Sequence, residues 1–210
     1  MEGMTAKWYA SLTHKSMEDF KADARRVAAQ LPEGARVLEV APGPGYFAIE
    51  LAKLGRYRVK GLDISHTFVE IAGRNASEAG VAIDFQQGNA AEMPFRDRSF
   101  DFVFCRAAFK NFAEPIRALS EMHRVLAKGG RALISDLRRD ASQESVNKAV
   151  DDMHVGAING VITKLTFRFM LFKRAYTKSE FERMLAETPF GSGEIAEGLI
   201  SLEASMCRAD

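Results

Sequence analysis

A chain of 210 residues, 47% hydrophobic and 27% charged, has the make-up of an ordinary globular protein and room for one core with a modest insertion. Its formal net charge of +1 excludes a global attraction to nucleic acid or to an anionic membrane. Cys105 and Cys207 lie far apart, Met1 to Lys15 shows no apolar signal region, and no segment reaches the roughly 18 uninterrupted apolar residues of a membrane span, so reduced thiols, no integral membrane association and a cytoplasmic location are expected.

Glu18 to Leu31 has the spacing of an amphipathic helix, ended by Pro32 and Gly34. A short apolar strand (Val37, Leu38, Val40) then runs into a turn carrying Gly43 and Gly45, and a helix over Gly45 to Leu54 follows, with Phe47, Leu51 and Leu54 at helical spacing. Glycine lets backbone approach a ligand closely. Glu39 sits inside the strand where an apolar residue belongs; a buried carboxylate is costly unless paired, so it serves a ligand or the turn. A second strand, Arg58 to Leu62, ends in Asp63, an acid ready to hold two ribose hydroxyls. This βαβ unit predicts a nucleoside cofactor.

Ser65 is a predicted N-cap, Thr67 and Glu70 have the spacing of a capping box, and that helix runs to about Ala79. Strands are expected over Ala82 to Gln86, Phe100 to Cys105 and Arg131 to Leu137, with a helix over Glu114 to Leu126 between the last two. Thr177 to Glu187 reads as a helix, then Gly191 to Ile195 and Ile200 to Cys207 as two strands around Gly198. Alternating strands and helices predict a parallel α/β sheet.

Gly43-x-Gly45-x-x-Ala48 alone also fits a dinucleotide fingerprint and would suit NAD. The wider pattern is more specific. Glu39-Val40-Ala41-Pro42-Gly43-Pro44-Gly45, Leu62-Asp63-Ile64-Ser65, Gly88-Asn89-Ala90-Ala91-Glu92-Met93-Pro94-Phe95, Ser99-Phe100-Asp101-Phe102-Val103-Phe104 and Arg124-Val125-Leu126-Ala127-Lys128-Gly129-Gly130 stand in that order. Together they resemble the motifs of class I S-adenosylmethionine-dependent methyltransferases, nearest the small-molecule and quinone-biosynthesis branch. The resemblance covers residues 36–136. It implies a Rossmann-like, seven-stranded, mostly parallel sheet with helices on both faces and an antiparallel last strand. It also implies S-adenosyl-L-methionine as cofactor, S-adenosyl-L-homocysteine as product, and no metal.

By the same resemblance Glu39, Ala41, Pro42, Gly43 and Gly45 line the methionine end of the cofactor, Asp63 accepts from both ribose hydroxyls, and Ile64 packs on adenine. Asn89, where relatives usually carry Asp, accepts from the adenine amino group, with Ala90 adding a backbone donor. Arg106 lies near the transferred methyl through its carbonyl, and Trp8 and Tyr9 either close over the cofactor, as an early Tyr does in relatives, or simply pack. Ala41 replaces the first glycine of the motif. Taken singly, Asp63 also reads as a helix cap, Asn89 more readily as a turn residue, and Arg106 equally as a paired surface charge; their joint spacing carries the weight.

A single domain over 1–210 is expected: a helical lid (1–31), the cofactor core (34–138), a substrate cap (140–175) and a terminal helix and hairpin (176–210). Within the cap, Leu165 to Leu171 alternates like a strand while Val161, Leu165, Phe169 and Phe172 also fit a helix; periodicity leaves both open and the resemblance favours helix. Lys110 and Asn111 stand where relatives often have a His pair, so no role of those histidines carries over. His14, His154 and Asp136 are the candidate general bases, the first two in segments expected to cover the pocket, the third at a strand's carboxyl end. Lys164, Arg168, Lys173 and Arg174 punctuate a Phe-rich stretch and read first as a solvated helix face, with an apolar or anionic small-molecule acceptor or docking at a membrane surface as the sharper alternative, and an apolar cap can mediate a homodimer. The alternatives are a non-catalytic S-adenosylmethionine-binding protein and an NAD-dependent oxidoreductase, the latter lacking a Tyr-x-x-x-Lys constellation.

Overall fold

The structure, a computed structural model, describes residues 2–13, 17–152 and 172–209. Helices α1 (Gly3–Thr13) and α2 (Met17–Ala28) lead into β1 (Arg36–Val40), α3 (Tyr46–Ala52), β2 (Arg58–Asp63), α4 (His66–Glu78) and β3 (Asp84–Gln87). Then come β4 (Phe100–Arg106), α5 (Pro115–Val125), β5 (Leu126–Leu137), α6 (Gln143–Asp152), α7 (Lys178–Ala186), β6 (Glu194–Glu197) and β7 (Ser201–Cys207).

The strands form one sheet in the order β3-β2-β1-β4-β5-β7-β6. β1 to β5 pair in parallel, and β7 runs antiparallel to both of its neighbours, as expected. The chain reverses its winding direction between β1 and β4, and this is where open α/β sheets leave a crevice outside the strand ends.

Alternation along the strands sorts the core into two layers. Val37, Phe102, Phe104 and Leu133 face one side, where they pack with Phe47 and Leu51 of α3 and with Ala24 and Val27 of α2. Leu38, Val103, Cys105 and Ile134 face the other, with Leu119 and Met122 of α5 and Phe181 and Leu185 of α7. Phe47 and Phe104 stack at 4.2 Å between centroids, tying α3 to the sheet centre. α1 packs Ala6 and Ala10 against Phe68 and Ile71 of α4. α6 buries Val146 and Val150 against Phe172.

Several boundaries differ from the periodicity. The box expected at Thr67 and Glu70 is absent: the Phe68 amide donates to Ser65 Oγ at 3.1 Å, and Thr67 bonds Glu2 instead. α7 does carry a capping box, Thr177 with Glu180. β3 begins two residues later than expected, at Asp84, and β5 reaches back to Leu126 through an irregular pairing with β4 near Phe100. α2 stops at Ala28, short of Leu31. His14, His154, and the ambiguous stretch from Leu165 to Leu171 lie outside the described residues, as do Lys164 and Arg168. No described helix is long and apolar enough to cross a membrane.

Candidate functional site

Register places the carboxyl ends of β1 and β2 side by side, with Val40 opposite Leu62 and Asp63 opposite Gln87 of β3. The turn after β1 leaves with three consecutive odd positions in the left-handed region: Ala41 at φ 57°, Gly43 at φ 54° and Gly45 at φ 79°. At Gly45 a Cβ would come within 2.9 Å of Phe85 and 3.0 Å of Ala72, so only glycine fits; at Gly43 it would meet nothing within 4 Å. The Asn75 side chain of α4 clamps the turn by donating to the Pro44 carbonyl at 2.9 Å.

Ala41 holds its left-handed conformation with a Cβ, which costs about 1 kcal/mol. Ala41→Gly relieves that strain and loosens the unfolded chain, effects of opposite sign. The expected net result is a gain of up to about 1 kcal/mol in urea unfolding; a loss above that size would show that the alanine methyl packs usefully.

Glu39 is 3% exposed and turns toward α3, where Gly45 is an N-cap with no side chain to offer. The Ala48 amide donates to Glu39 Oε2 at 3.0 Å, so the strand acid substitutes for the missing cap. Burial, partly offset by that bond and by Arg106, pushes the Glu39 carboxyl up to about 8.

Asp63 is 6% exposed and accepts from the Gly43 amide at 3.0 Å and the Ser65 amide at 2.9 Å. The carboxylate therefore spans both turns and fixes their spacing. Burial raises its pKa, against those two bonds. Ionised, it has about four lone-pair sites, so two amides leave capacity for two further donors. Beside it Ile64 is 65% exposed, a large aliphatic side chain presented to solvent at a strand end.

Asn89 is exposed, and its Oδ1 accepts from the Ala91 amide at 3.0 Å, shaping the loop as an Asx turn; Ala90 packs partly against the core. Arg124 of α5 holds this loop by donating to the Met93 carbonyl at 3.0 Å and the Phe95 carbonyl at 2.8 Å. Glu121 completes the clamp, accepting from the Met93 amide at 2.7 Å and from Arg124. The motif containing Arg124 was legible, but its role as an anchor for a loop some thirty residues upstream was not.

At the end of β4 the Arg106 side chain pairs with Asp23 of α2 at 2.8 Å and lies over the Phe20 ring at 4.5 Å. Its side chain thus secures α2 to the strand end. Asp136, at the end of β5, accepts from Lys110 Nζ at 2.7 Å, from the Lys110 amide at 2.9 Å and from the Leu137 amide at 2.7 Å. Cys105 is buried beneath, and burial with the nearby Asp136 charge holds its thiol protonated. Tyr9 lies on α1, with its side chain outside what is described. Among the described residues no cluster of His, Cys, Asp and Glu is placed to hold a metal ion.

A buried acid at the end of β2, an exposed aliphatic side chain next to it, and a glycine turn meet at the sheet's switch point, where open α/β sheets leave a crevice for a ligand. A methyltransferase domain family model matches residues 38–134, a little under half of the chain, and over that stretch the chain is similar to S-adenosylmethionine-dependent methyltransferases. A demethylmenaquinone methyltransferase of Deinococcus radiodurans is 37% identical over 123 residues, 58% of this chain and 50% of that protein. Another, of Chlorobaculum tepidum, is 33% identical over 151 residues, covering 70% of this chain and 60% of that one. The chain spans about half the length of the curated relatives it matches. A solved structure from Methanococcus maripaludis, assigned as an S-adenosyl-L-methionine-dependent methyltransferase, aligns with a TM-score of 0.78 at 20% identity, covering 98% of this chain and 92% of that one; this likeness concerns the fold.

Proposed function

We propose that this protein transfers a methyl group from S-adenosyl-L-methionine to a small-molecule acceptor. The observation that carries the reading is the pairing of buried Asp63, with acceptor capacity remaining, and exposed Ile64 beside an open Gly43. A nucleoside needs those two things together: a carboxylate for its ribose hydroxyls and an apolar face for its base.

When bound, S-adenosyl-L-methionine supplies an already activated methyl on a sulfonium, so the protein's work is alignment and exclusion of water. Asp63 binds and orients the ribose, and Ile64 covers the adenine. Asn89 faces the adenine edge, where its Oδ1 keeps a second lone pair beside the one given to Ala91; the Ala90 amide lies next to it. Glu39, Ala41, Pro42, Gly43 and Gly45 shape the methionine end, with the Arg106 carbonyl across from them. The acceptor enters at the ends of β4 and β5. The relatives' named activity on demethylmenaquinone makes a quinone-type aromatic ring the first acceptor class to assay.

Calorimetric titration with S-adenosyl-L-homocysteine, with NADH in parallel, tests the reading. Uptake of the former alone is expected. Binding of NADH alone would overturn it and make the glycine turn an ordinary dinucleotide fingerprint. Ile64→Ala should weaken S-adenosyl-L-homocysteine by roughly three- to tenfold, the worth of a partly buried aliphatic contact, with the melting temperature unchanged because the side chain is exposed. Unaltered affinity in that variant would place the adenine elsewhere.

A further inference from the structure

The loop that follows β4 is built around a buried lysine. Lys110 lies in a short 3-10 helix, Phe109–Asn111, and its side chain and that of Asp136 are each 6% exposed. A buried lysine needs acceptors and a counter-charge for its ammonium. Its Nζ donates to Asp136 Oδ1 at 2.7 Å and to the Ala107 carbonyl at 2.6 Å, while its own amide donates to Asp136 Oδ2 at 2.9 Å.

Ala107 is the second alanine of the site in the left-handed region, at φ 55°. Its amide donates to the Ser135 carbonyl at 2.7 Å, one residue before Asp136. Both backbone groups of this strained residue are thus tied to the end of β5, one directly and one through Lys110. Phe109 closes the other side, packed on Phe112, Tyr176 and Phe181. An unfavourable φ persists only where its surroundings over-determine it. Here the lysine is the part that reaches across.

We infer that Lys110, through its ion pair with Asp136 and its bond to Ala107, is the positioning residue of the site: it holds the Arg106–Ala107 backbone in the shape that receives the methionine end of the methyl donor. This rests on the cofactor reading above. It assigns Asp136 to holding the loop, with both of its oxygens engaged. It also accounts for Lys110 at a position where relatives often carry histidine.

The test is the double variant K110M/D136N, which removes both charges and so avoids stranding either one in the interior. Asparagine leaves one of the Lys110 and Leu137 amides without its acceptor, so the melting temperature falls, and the affinity for S-adenosyl-L-homocysteine falls by about tenfold as well, the worth of one well-placed hydrogen-bonded contact. Adding Ala107→Gly to that background should restore most of the affinity, because glycine adopts the left-handed conformation unaided. A merely structural pair would lower the melting temperature alike but leave the affinity intact, with no rescue by glycine. Should that variant not fold, K110Q/D136N, which also leaves no lone charge and whose glutamine is one bond too short to bridge both partners, is read by the same affinity and the same rescue. Unchanged affinity overturns the inference alone. No uptake of S-adenosyl-L-homocysteine by the unaltered protein overturns the cofactor reading, and the inference with it.

Discussion

Asp63→Ala is expected to reduce S-adenosyl-L-homocysteine binding by at least about a hundredfold. Two hydrogen bonds from ribose hydroxyls to a carboxylate are each worth about 1.5–3 kcal/mol. The carboxylate also accepts from the Gly43 and Ser65 amides, so alanine strands both donors inside the protein. That second effect lowers stability by about 1–3 kcal/mol for each amide. It also lets the turn after β1 drift from the start of α4. Asp63→Asn separates the two effects. It keeps one oxygen, hence one amide partner, but carries no charge and has fewer lone pairs for the ribose. Asparagine should therefore recover more of the stability than of the affinity. Titration calorimetry well below each variant's unfolding temperature, with circular dichroism to confirm folding, makes the comparison. Binding by Asp63→Ala within threefold of the unaltered protein would remove Asp63 from the site.

The second large effect is on pH. The Glu39 carboxyl has its ordinary value of 4.5 when unfolded and about 8 in the folded protein. Below the lower value both states are protonated and the group contributes nothing to pH dependence. Between the two, the folded protein holds a proton that the unfolded chain has lost, so stability falls as pH rises. At about 1.4 kcal/mol per unit, the cumulative loss approaches 4–5 kcal/mol near pH ~8 and then levels off. Asp63, also raised by burial, adds a slope of the same sign at lower pH. Glu39→Gln keeps an oxygen for the Ala48 amide and removes the titration. The variant should gain on the unaltered protein steadily between about pH 5 and 8 in urea unfolding. A parallel pair of curves would show that Glu39 is already ionised in the fold. Cofactor binding gives an independent check. A positively charged amino-acid end beside Glu39 favours its ionised form, so S-adenosyl-L-homocysteine should release a proton near pH ~7, seen as a buffer-dependent binding enthalpy, and Glu39→Gln should abolish the release.

These predictions turn on residues of two kinds, and the two kinds differ in how they could be read. Asp63, Ile64, Gly43 and Gly45 stand at positions where local chemistry dictates the outcome. A glycine turn after an apolar strand, and an acid ending the next strand, need only neighbouring residues to have meaning. The parallel sheet followed in the same way, from alternation and from turns that end each element. Element edges followed less well: Ser65 caps α4 as read, but Thr67, read as opening a capping box, bonds Glu2, far off in the chain, and β5 reaches back to Leu126 through its pairing with β4.

What the sequence by itself determined, then, was the order of the elements, the class of the fold and the placing of the glycine turn and Asp63 at neighbouring strand ends, since each depends on spacing within a short stretch of chain. Tertiary structure decided the rest. Glu39 became a cap for α3 only because alternation along β1 turns it toward a helix whose own N-cap is glycine. Arg124 became a clamp on the Met93 loop, and Arg106 a tether for α2, because the sheet order brings those elements together. Lys110 and Asp136 read separately as an unusual substitution and a candidate base. Adjacent strands β4 and β5 place them 2.7 Å apart in the interior, where desolvation makes each charge require the other. Pairing of this kind is a property of the packed chain: the attraction that fixes it exists only once water has been removed from both groups.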